Sequence, residues 1–508
     1  MPFDARAPVL VGVGQVVRHD PDPATSSEPL DLMVAAARQA ADNAFQDSRA
    51  YEGGGRDLLG RLDSIRVISV LSWNYVNPGL ALGERLGVTP RQTVLTSTGG
   101  NSPQLLVNHT AAAIQGGEVD VALLAGAETM ATRQRARRRP DKVWLDWPVQ
   151  DGDTPAPVVV GDDRPGSNDA ELARSLALPT QIYPVFENAV RTASGRSIAE
   201  HERVIAELWS RFSAVAATNP HAWSPAALGA DAIATVTPDN RLIGFPYTKL
   251  MNANLYVDQA AALVMCSAEA AQAAGIPRER WVFPWAGADA HDHWWVSDRA
   301  DLHSSPAIRA AGRAALEHAG AGIDDIAHVD LYSCFPSAVQ IGAAELGLRL
   351  DERARPLTVT GGLTFAGGPG NNYATHSIAT MVERLRADPG ALGLVTALGW
   401  YVTKHSIGIY GSEPSPRPFA ACHPQAEVDA LPRREWVAEH DGPVTIESFT
   451  VMYDRDGTAA LGIVACTLPD GRRAWGNVRD PDAAAAMTVD DPIGHPALLH
   501  RDGTLEPR

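Results

Sequence analysis

Few side chains in this 508-residue chain are spaced to work together as nucleophiles or metal ligands. Its four cysteines, Cys266, Cys334, Cys422 and Cys466, lie far apart, with no C-x-x-C pair and no His-Cys cluster. That pattern fits reduced intracellular thiols rather than a disulfide framework or a zinc site. His291-Asp292-His293, before Trp294-Trp295, offers two imidazoles and a carboxylate, but no third ligand follows at a convincing spacing. We read it as a loop histidine pair and expect no metal. Arg133-Gln134-Arg135-Ala136-Arg137-Arg138-Arg139, with Lys142, is the strong cationic cluster of an acidic chain. Such guanidinium groups pair bidentately with phosphates, or simply form a solvated helical face. Gly99-Gly100 leaves open amides before a helix, where a carboxylate or thioester carbonyl could sit without covalent chemistry. Gly12-Val13-Gly14 lacks the third glycine and later acidic residue of a dinucleotide fingerprint, so it is a strand end.

The elements that would position these groups follow an α/β texture. Val9 to Gly14 reads as a buried strand and Leu30 to Phe45 as a helix with apolar residues at 3–4 spacing. Ile65 to Leu71 predicts a strand, Gly79 to Leu86 a short helix, Asn101 to Gly116 a helix and Val119 to Gly126 a strand. The texture returns with a strand at Trp281 to Trp285 and a helix at Pro306 to His318. Val329 to Leu331 is a short strand, Pro336 to Leu346 and Ala374 to Arg386 are helices, and Leu392 to Leu398 is a strand. Two α/β halves of similar plan suggest an internal duplication.

Between them, about residues 133–254, lies a Pro/Asp-rich insertion with helices near Glu171 to Leu178 and Ala199 to Thr218. Long insertions in compact folds are usually functional. After residue 416 the pattern turns to strands at Val444 to Tyr453, Ala459 to Thr467 and Arg472 to Asn477, with a turn at Asp454-Arg455-Asp456-Gly457. The expected division is therefore 1–275, 276–416 and a small β-barrel over 417–508.

Five ordered motifs carry a family resemblance over about residues 7–412. Ala111 to Met130, AAAIQGGEVDVALLAGAETM, is similar to the thiolase nucleophile helix and its following strand. Asn219-Pro220-His221-Ala222-Trp223 resembles the N-P-x-A-W of sterol-carrier-type thiolases. Asp258-Gln259-Ala260-Ala261-Ala262 stands where D-G-A-A-A is expected, and Tyr332-Ser333-Cys334-Phe335 where H-D-C-F is expected. Gly361-Gly362-Leu363-Thr364-Phe365-Ala366-Gly367-Gly368-Pro369-Gly370 resembles the thiolase glycine loop, G-G-x-x-x-x-G-H-P-x-G, and Tyr401 to His405 follows. The tail, Ser448 to Val451 and Ala459 to Asn477, looks like the OB-type barrel of small proteins that accompany thiolase-like partners. The whole layout resembles thiolase-like proteins of type 1. It implies duplicated, layered αβαβα halves with a loop insertion, plus an all-β OB-like barrel.

In thiolases a cysteine at a helix N-terminus is acylated, a second cysteine moves the proton, and a histidine helps hold the oxyanion. Carried onto this chain, the nucleophile position is Gly100, the oxyanion histidine is Gly368, and the second cysteine falls near Leu398-Gly399. No cysteine occurs in the first 265 residues, and the H-D pair becomes Tyr332-Ser333. Cys334 matches a structural cysteine, and Ser102 lies two residues past the nucleophile position. Asn101, His376, Lys404 and His405 should stand near the old pocket. The resemblance places Arg135, Arg137, Arg138 and Arg139 beside a coenzyme A site, where they would meet phosphates.

The implied function is binding of an acyl-CoA or related thioester in lipid or sterol metabolism, with no required cofactor and no ordinary thiolase chemistry. An acyltransferase or thioester lyase with a rearranged catalytic set and a non-catalytic scaffold are the competing readings. A net charge of -17 argues against nucleic acid and anionic membranes as partners. The amino terminus lacks a secretory layout and the apolar runs are too short to span a bilayer, so a cytoplasmic protein is expected. The edge of Thr93 to Thr98, through which thiolases pair, is compatible with a homodimer and equally with a monomer.

Overall fold

The computed structural model describes residues 4–19, 22–23, 25–46, 54–139 and 144–507; Lys142 of the cationic run lies outside them. In chain order the strands are β1 (Pro8–Val17), β2 (Ser64–Val67), β3 (Gln92–Thr96), β4 (Val121–Thr129) and β5 (Val158–Val160). The insertion adds β6 (Leu242–Gly244) and β7 (Tyr247–Thr248), and β8 (Asp258–Ser267) closes the first half. The second half holds β9 (Phe283–His291), β10 (Ile326–Asp330), β11 (Leu392–Gly399) and β12 (Lys404–Gly411). Then come β13 (Ala421–Cys422), β14 (Gly442–Tyr453), β15 (Ala459–Thr467), β16 (Arg473–Val478), β17 (Pro496–Leu499) and β18 (Leu505–Pro507).

The duplication appears in the topology. The first sheet runs β1-β8-β4-β2-β3-β5 and the second, reversed, β13-β9-β12-β11-β10. The series β1-β8-β4-β2 is antiparallel, antiparallel, parallel, and β9-β12-β11-β10 repeats it. Two central helices, Ser102–Gln115 and Tyr373–Ala387, occupy the same place in each half and pack together between the sheets. Leu106, Val107, Ile378, Met381 and Val395 fill that middle layer. Helices Pro29–Asn43 and Pro306–Ala319 cover the outer faces, completing five layers. Pro29–Asn43 buries Leu30, Met33, Ala36, Ala37 and Ala40 at helical spacing, which at about 25 cal/mol per Å² makes its apolar face its main stabilisation.

Most predicted helices fall within a residue or two of those expected, because caps mark their ends. Pro306–Ala319 begins at Ser305, whose side chain accepts from Ile308 N, and ends at left-handed Gly320. Departures have local causes. The helix expected from Glu171 to Leu178 stops at Ala173, and Pro179 opens an unanticipated one, Pro179–Ala193. The strand placed at Trp281 to Trp285 starts at Phe283 and runs on to His291, so His291 ends a strand rather than sitting in a loop. The one placed at Ile65 to Leu71 ends at Val67.

The edge strand β3 is not free. β5 pairs with it in parallel, Val94↔Val158 through Thr96↔Val160. The edge considered for dimer pairing is thus covered by the chain itself.

The carboxyl-terminal sheet runs β16-β15-β14-β17-β18, and a bridge between Asn477 and Thr504 ties its ends together. It is not purely strands: helices Gln425–Asp429 and Pro481–Asp490 belong to the same segment, and β6 of the insertion joins β14. Arg473, fully buried, anchors it by donating to the carbonyls of Val296, Ser297 and Arg299 and to Glu447. Asn188 Nδ2 donates to Phe449 O, holding helix Pro179–Ala193 against β14.

Candidate functional site

The sequence places chemistry where the first central helix begins, and the tertiary structure fills that place. Gly100 lies just before the helix. A Cβ there would stand 2.0 Å from Tyr332 Oη and 2.5 Å from Leu398 O. No side chain fits in that gap, so glycine is required by close approach. Tyr332 comes from the loop after β10 and Leu398 from β11, so the second half of the molecule packs directly onto the nucleophile position.

The neighbouring residues are committed to structure. Ser102 Oγ donates to Ser97 O at 2.8 Å. Asn101 is buried and makes no side-chain cap, leaving its Oδ1 without a partner. Gly99 N donates to Asn371 Oδ1, joining the helix start to the glycine loop. Gly368 N donates to Asn254 O at 2.9 Å, a bond within the loop wall. Gly361, at φ 101°, lets the loop press onto helix Ile198–Ala216, where a Cβ would meet Ala216 at 2.3 Å. Ser333 is buried with no partner for its Oγ.

Leu398-Gly399 leads into the tight turn Trp400 to Thr403 between β11 and β12. Trp400 and Val402 sit at φ 56° and 52°, a left-handed conformation costly for a β-branched residue. Tyr183 holds the turn: its hydroxyl donates to Trp400 O at 2.8 Å and accepts from Val402 N. Arg299 Nη2 donates to Thr403 Oγ1.

The titratable candidates are separated. Burial pushes the Cys334 thiol up to about 12, opposite to the shift a nucleophilic thiolate needs. His376 faces β1, with Nδ1 on Gln15 Oε1 at 2.8 Å and Nε2 unpartnered. Burial, with a smaller push from His221, depresses it to about 3, so its ring is neutral. His405 bonds Asp292 Oδ2 at 3.1 Å through Nε2, and Ser305 donates to the same carboxylate. Burial works to raise the Asp292 carboxyl, but His405, Arg299 and Ser305 together hold it below the usual range. This Asp-His-Ser group is sealed inside: His405 Nε2 and Ser305 Oγ both meet Asp292 Oδ2 and lie 3.3 Å from each other, so one ring nitrogen makes both contacts. Asp292 stood out in sequence as the middle of a histidine pair. Its partnership with His405 arises only because β9 lies beside β12. His291 Nδ1 meets the Asp292 carbonyl, while neither ring nitrogen of His293 has a partner.

Lys404 occupies the remaining space. Its ammonium donates to Thr98 O at 2.5 Å and Asp162 O at 2.9 Å. Sequence reasoning missed Asp162, and only its backbone oxygen takes part. Behind Tyr332, Leu398 and His405, on the side of helix Pro336–Leu346, lies a cavity of about 10 Å³, about the size of one water.

A far larger cleft, about 750 Å³, opens elsewhere, between helix Ile198–Ala216 and residues 350–358. Leu208, Phe212, Leu350 and Leu357 line it, with Arg211 and Arg353. None of the sequence-predicted site residues reaches it. Of the cationic run, helix Met130–Arg138 carries Arg137 and Arg138 exposed; Arg133 donates to Leu71 O, and Arg139 pairs with Asp22 at 3.5 Å.

Two mirrored α/β halves, central helices meeting between the sheets and a glycine loop at their junction define a thiolase fold. The comparisons agree. A family model described as thiolase C-terminal domain-like matches residues 288–411, and one described as the thiolase-like protein type 1 additional C-terminal domain matches 424–504. A monomeric SCP2-thiolase-like protein type 1 from Mycobacterium smegmatis is 33% identical, covering 99% of each chain at TM-score 0.84. This chain belongs to the thiolase-like proteins of type 1. The Ltp2–ChsH2 aldolase, at 18% identity and TM-score 0.60, covers 81% of this chain and 99% of its own. The peroxisomal thiolase of Saccharomyces cerevisiae, at 13% and 0.55, covers the same shares. No curated protein matches the chain by sequence. Among the described residues, no helix is long and apolar enough to cross a membrane.

Proposed function

We propose that this chain is an acyl-CoA or thioester-binding protein of lipid metabolism that works without the two-cysteine thiolase chemistry. The observation that carries the reading is Gly100, where Tyr332 Oη and Leu398 O take the space of a nucleophile's Cβ. The glycine at 368 and the thiol of Cys334, held at about 12, support it. A rearranged acyltransferase is less favoured, because His376 and His405 stand apart on separate buried partners. The exposed Arg137 and Arg138, with Arg135 and Arg139 on the same basic stretch, would meet the phosphates of the nucleotide.

Calorimetric titration with CoA, acetyl-CoA and a long-chain acyl-CoA tests the reading. Saturable binding, weakened about tenfold or more by Arg137→Glu with Arg138→Glu, is expected, since charge-assisted hydrogen bonds contribute about 1.5–3 kcal/mol. No measurable thiolysis of acetoacetyl-CoA should accompany it. Absence of binding at millimolar ligand overturns the reading and leaves the scaffold alternative.

A further inference from the structure

Forty of the chain's 43 basic residues are arginine, leaving three lysines, Lys142, Lys249 and Lys404. Arginine and lysine are not interchangeable: only the amine becomes a nucleophile on losing a proton. Lys404 is buried at the opening of the first central helix, and its Nζ lies 2.9 Å from the point a Cβ of Gly99 would take. It therefore stands one residue before Gly100, beside the position from which thiolase-fold nucleophiles act and where cysteine has no room.

Two unsatisfied polar atoms lie along it and the segment above, Asn101 Oδ1 beside Gly99 and Gly399, and Ser97 Oγ against Gly161. Asn101 Oδ1 and Ser97 Oγ are both buried without a partner. Above them runs a strap, residues 158–166, whose outer residues Gly161, Asp163, Arg164 and Pro165 are exposed. The strap is fastened by β5 on β3, by Thr98 N on Asp163 Oδ1 and by Trp294 Nε1 on Pro165 O. Arg164 lies 3.7 Å over the Trp294 ring. Ser97 N donates to Val160 O and Arg164 Nη2 meets His291 Nε2 at 3.3 Å. The Lys404 ammonium adds a tie at the strap's middle, joining Asp162 O to Thr98 O.

We infer that Lys404 is an acyl-acceptor site, and that its acylation by a thioester releases the strap. This rests on the reading of the chain as a thioester-handling protein. With the strap raised, the unprotonated amine attacks the thioester carbonyl carbon. The oxyanion forms beside the open end of the helix, whose dipole favours negative charge. As the C–N bond forms, the C–S bond breaks and its electron pair leaves on sulfur. The amine's surplus proton passes to that sulfur, giving an amide on Lys404 and a free thiol. The amide has one N–H in place of three and no charge, so it cannot bridge Thr98 O and Asp162 O. The amine is already enclosed between Thr98 O and Asp162 O, with Asn101 Oδ1 against Gly99 and Gly399, so an added acyl group displaces the strap. Burial supports the chemistry by lowering the ammonium to about 8, against the opposing pull of Asp162 and Asp163.

The full-length protein is incubated with S-acetyl-N-acetylcysteamine, a thioester without the nucleotide, and separately with acetyl-CoA. Peptide mass spectrometry then follows Lys404 and, as an internal control, the exposed Lys249. Acetylation of Lys404 about tenfold faster than of Lys249 is expected, because burial leaves more of the Lys404 amine unprotonated. Amide hydrogen exchange across 158–166 should accelerate in parallel, and Lys404→Arg should abolish both effects. Slower modification of Lys404 than of Lys249 by the small thioester, or modification only in urea, overturns the inference. If calorimetry finds CoA binding while Lys404 stays unmodified, this inference fails and the thioester-binding reading stands. Modification by the small thioester without CoA binding gives the reverse.

Discussion

The sealed centre and the open cleft of this molecule differ in what fills them. At the centre, where the first helix start meets the glycine loop, Tyr332 and Leu398 close onto Gly100 and Lys404 is held on two backbone carbonyls. The cavity behind Tyr332 and Leu398 is about 10 Å³. The cleft beside helix Ile198–Ala216, which no motif marks, encloses about 750 Å³. Phe212 belongs to both: it lines the cleft, and a Cβ on Gly362 would meet its ring at 2.7 Å. The comparison teaches that a fold can retain the framework of a reaction site while its interior is packed like ordinary core.

The largest expected effect comes from forcing the old chemistry back into the centre. Gly100→Cys should destabilise the protein by about 3 kcal/mol or more in urea titration, since Leu398 O is backbone and cannot swing aside. Combining it with Tyr332→Ala should cost at least about 1 kcal/mol less than the sum of the two single changes. Strict additivity would show that the two positions do not compete for space.

A smaller effect sharpens the sealed side through pH. His376 has its folded value depressed from 6.5 to about 3, chiefly by burial. Its stability contribution is therefore complete above about 6.5 and is lost as pH falls toward 3. At pH 4.5 the loss is about 2–3 kcal/mol. Glu128 and Asp289, both raised to about 7 by burial, run the other way: their contribution is complete at low pH and is lost as pH rises through 7. Comparing wild type with His376→Gln at pH 7 and pH 4.5 isolates the histidine. Equal pH dependence in the two proteins would show that the ring is charged or accessible.

The smallest effect belongs to the open side. Ala214, exposed on the cleft wall, should accept leucine with a change below about 0.5 kcal/mol in urea titration. A loss comparable to that of Gly100→Cys would mean that the cleft closes in solution.

Much of the framework was legible in the chain. Apolar periodicity and caps placed helices Pro306–Ala319 and Pro336–Leu346 almost to the residue. The five ordered motifs pointed to the family, and glycine at 100 and 368 was plain in the sequence. The linear pattern was silent on the elements whose partners are distant. β5 has three residues and exists because β3 offers an open edge. The helix at Pro179–Ala193 was masked by Pro184 within it.

The sequence by itself determined which residues stand at the helix start and glycine loop, and that no cysteine is available at the first of them. Only the tertiary structure decided that Tyr332 fills the gap over Gly100, that His405 pairs with Asp292, and that Lys404 fastens Asp162. The physical reason is that residue type and spacing encode local conformation. Whether a cavity survives depends on side chains brought together from both halves, and close packing leaves no slack for a local rule to predict.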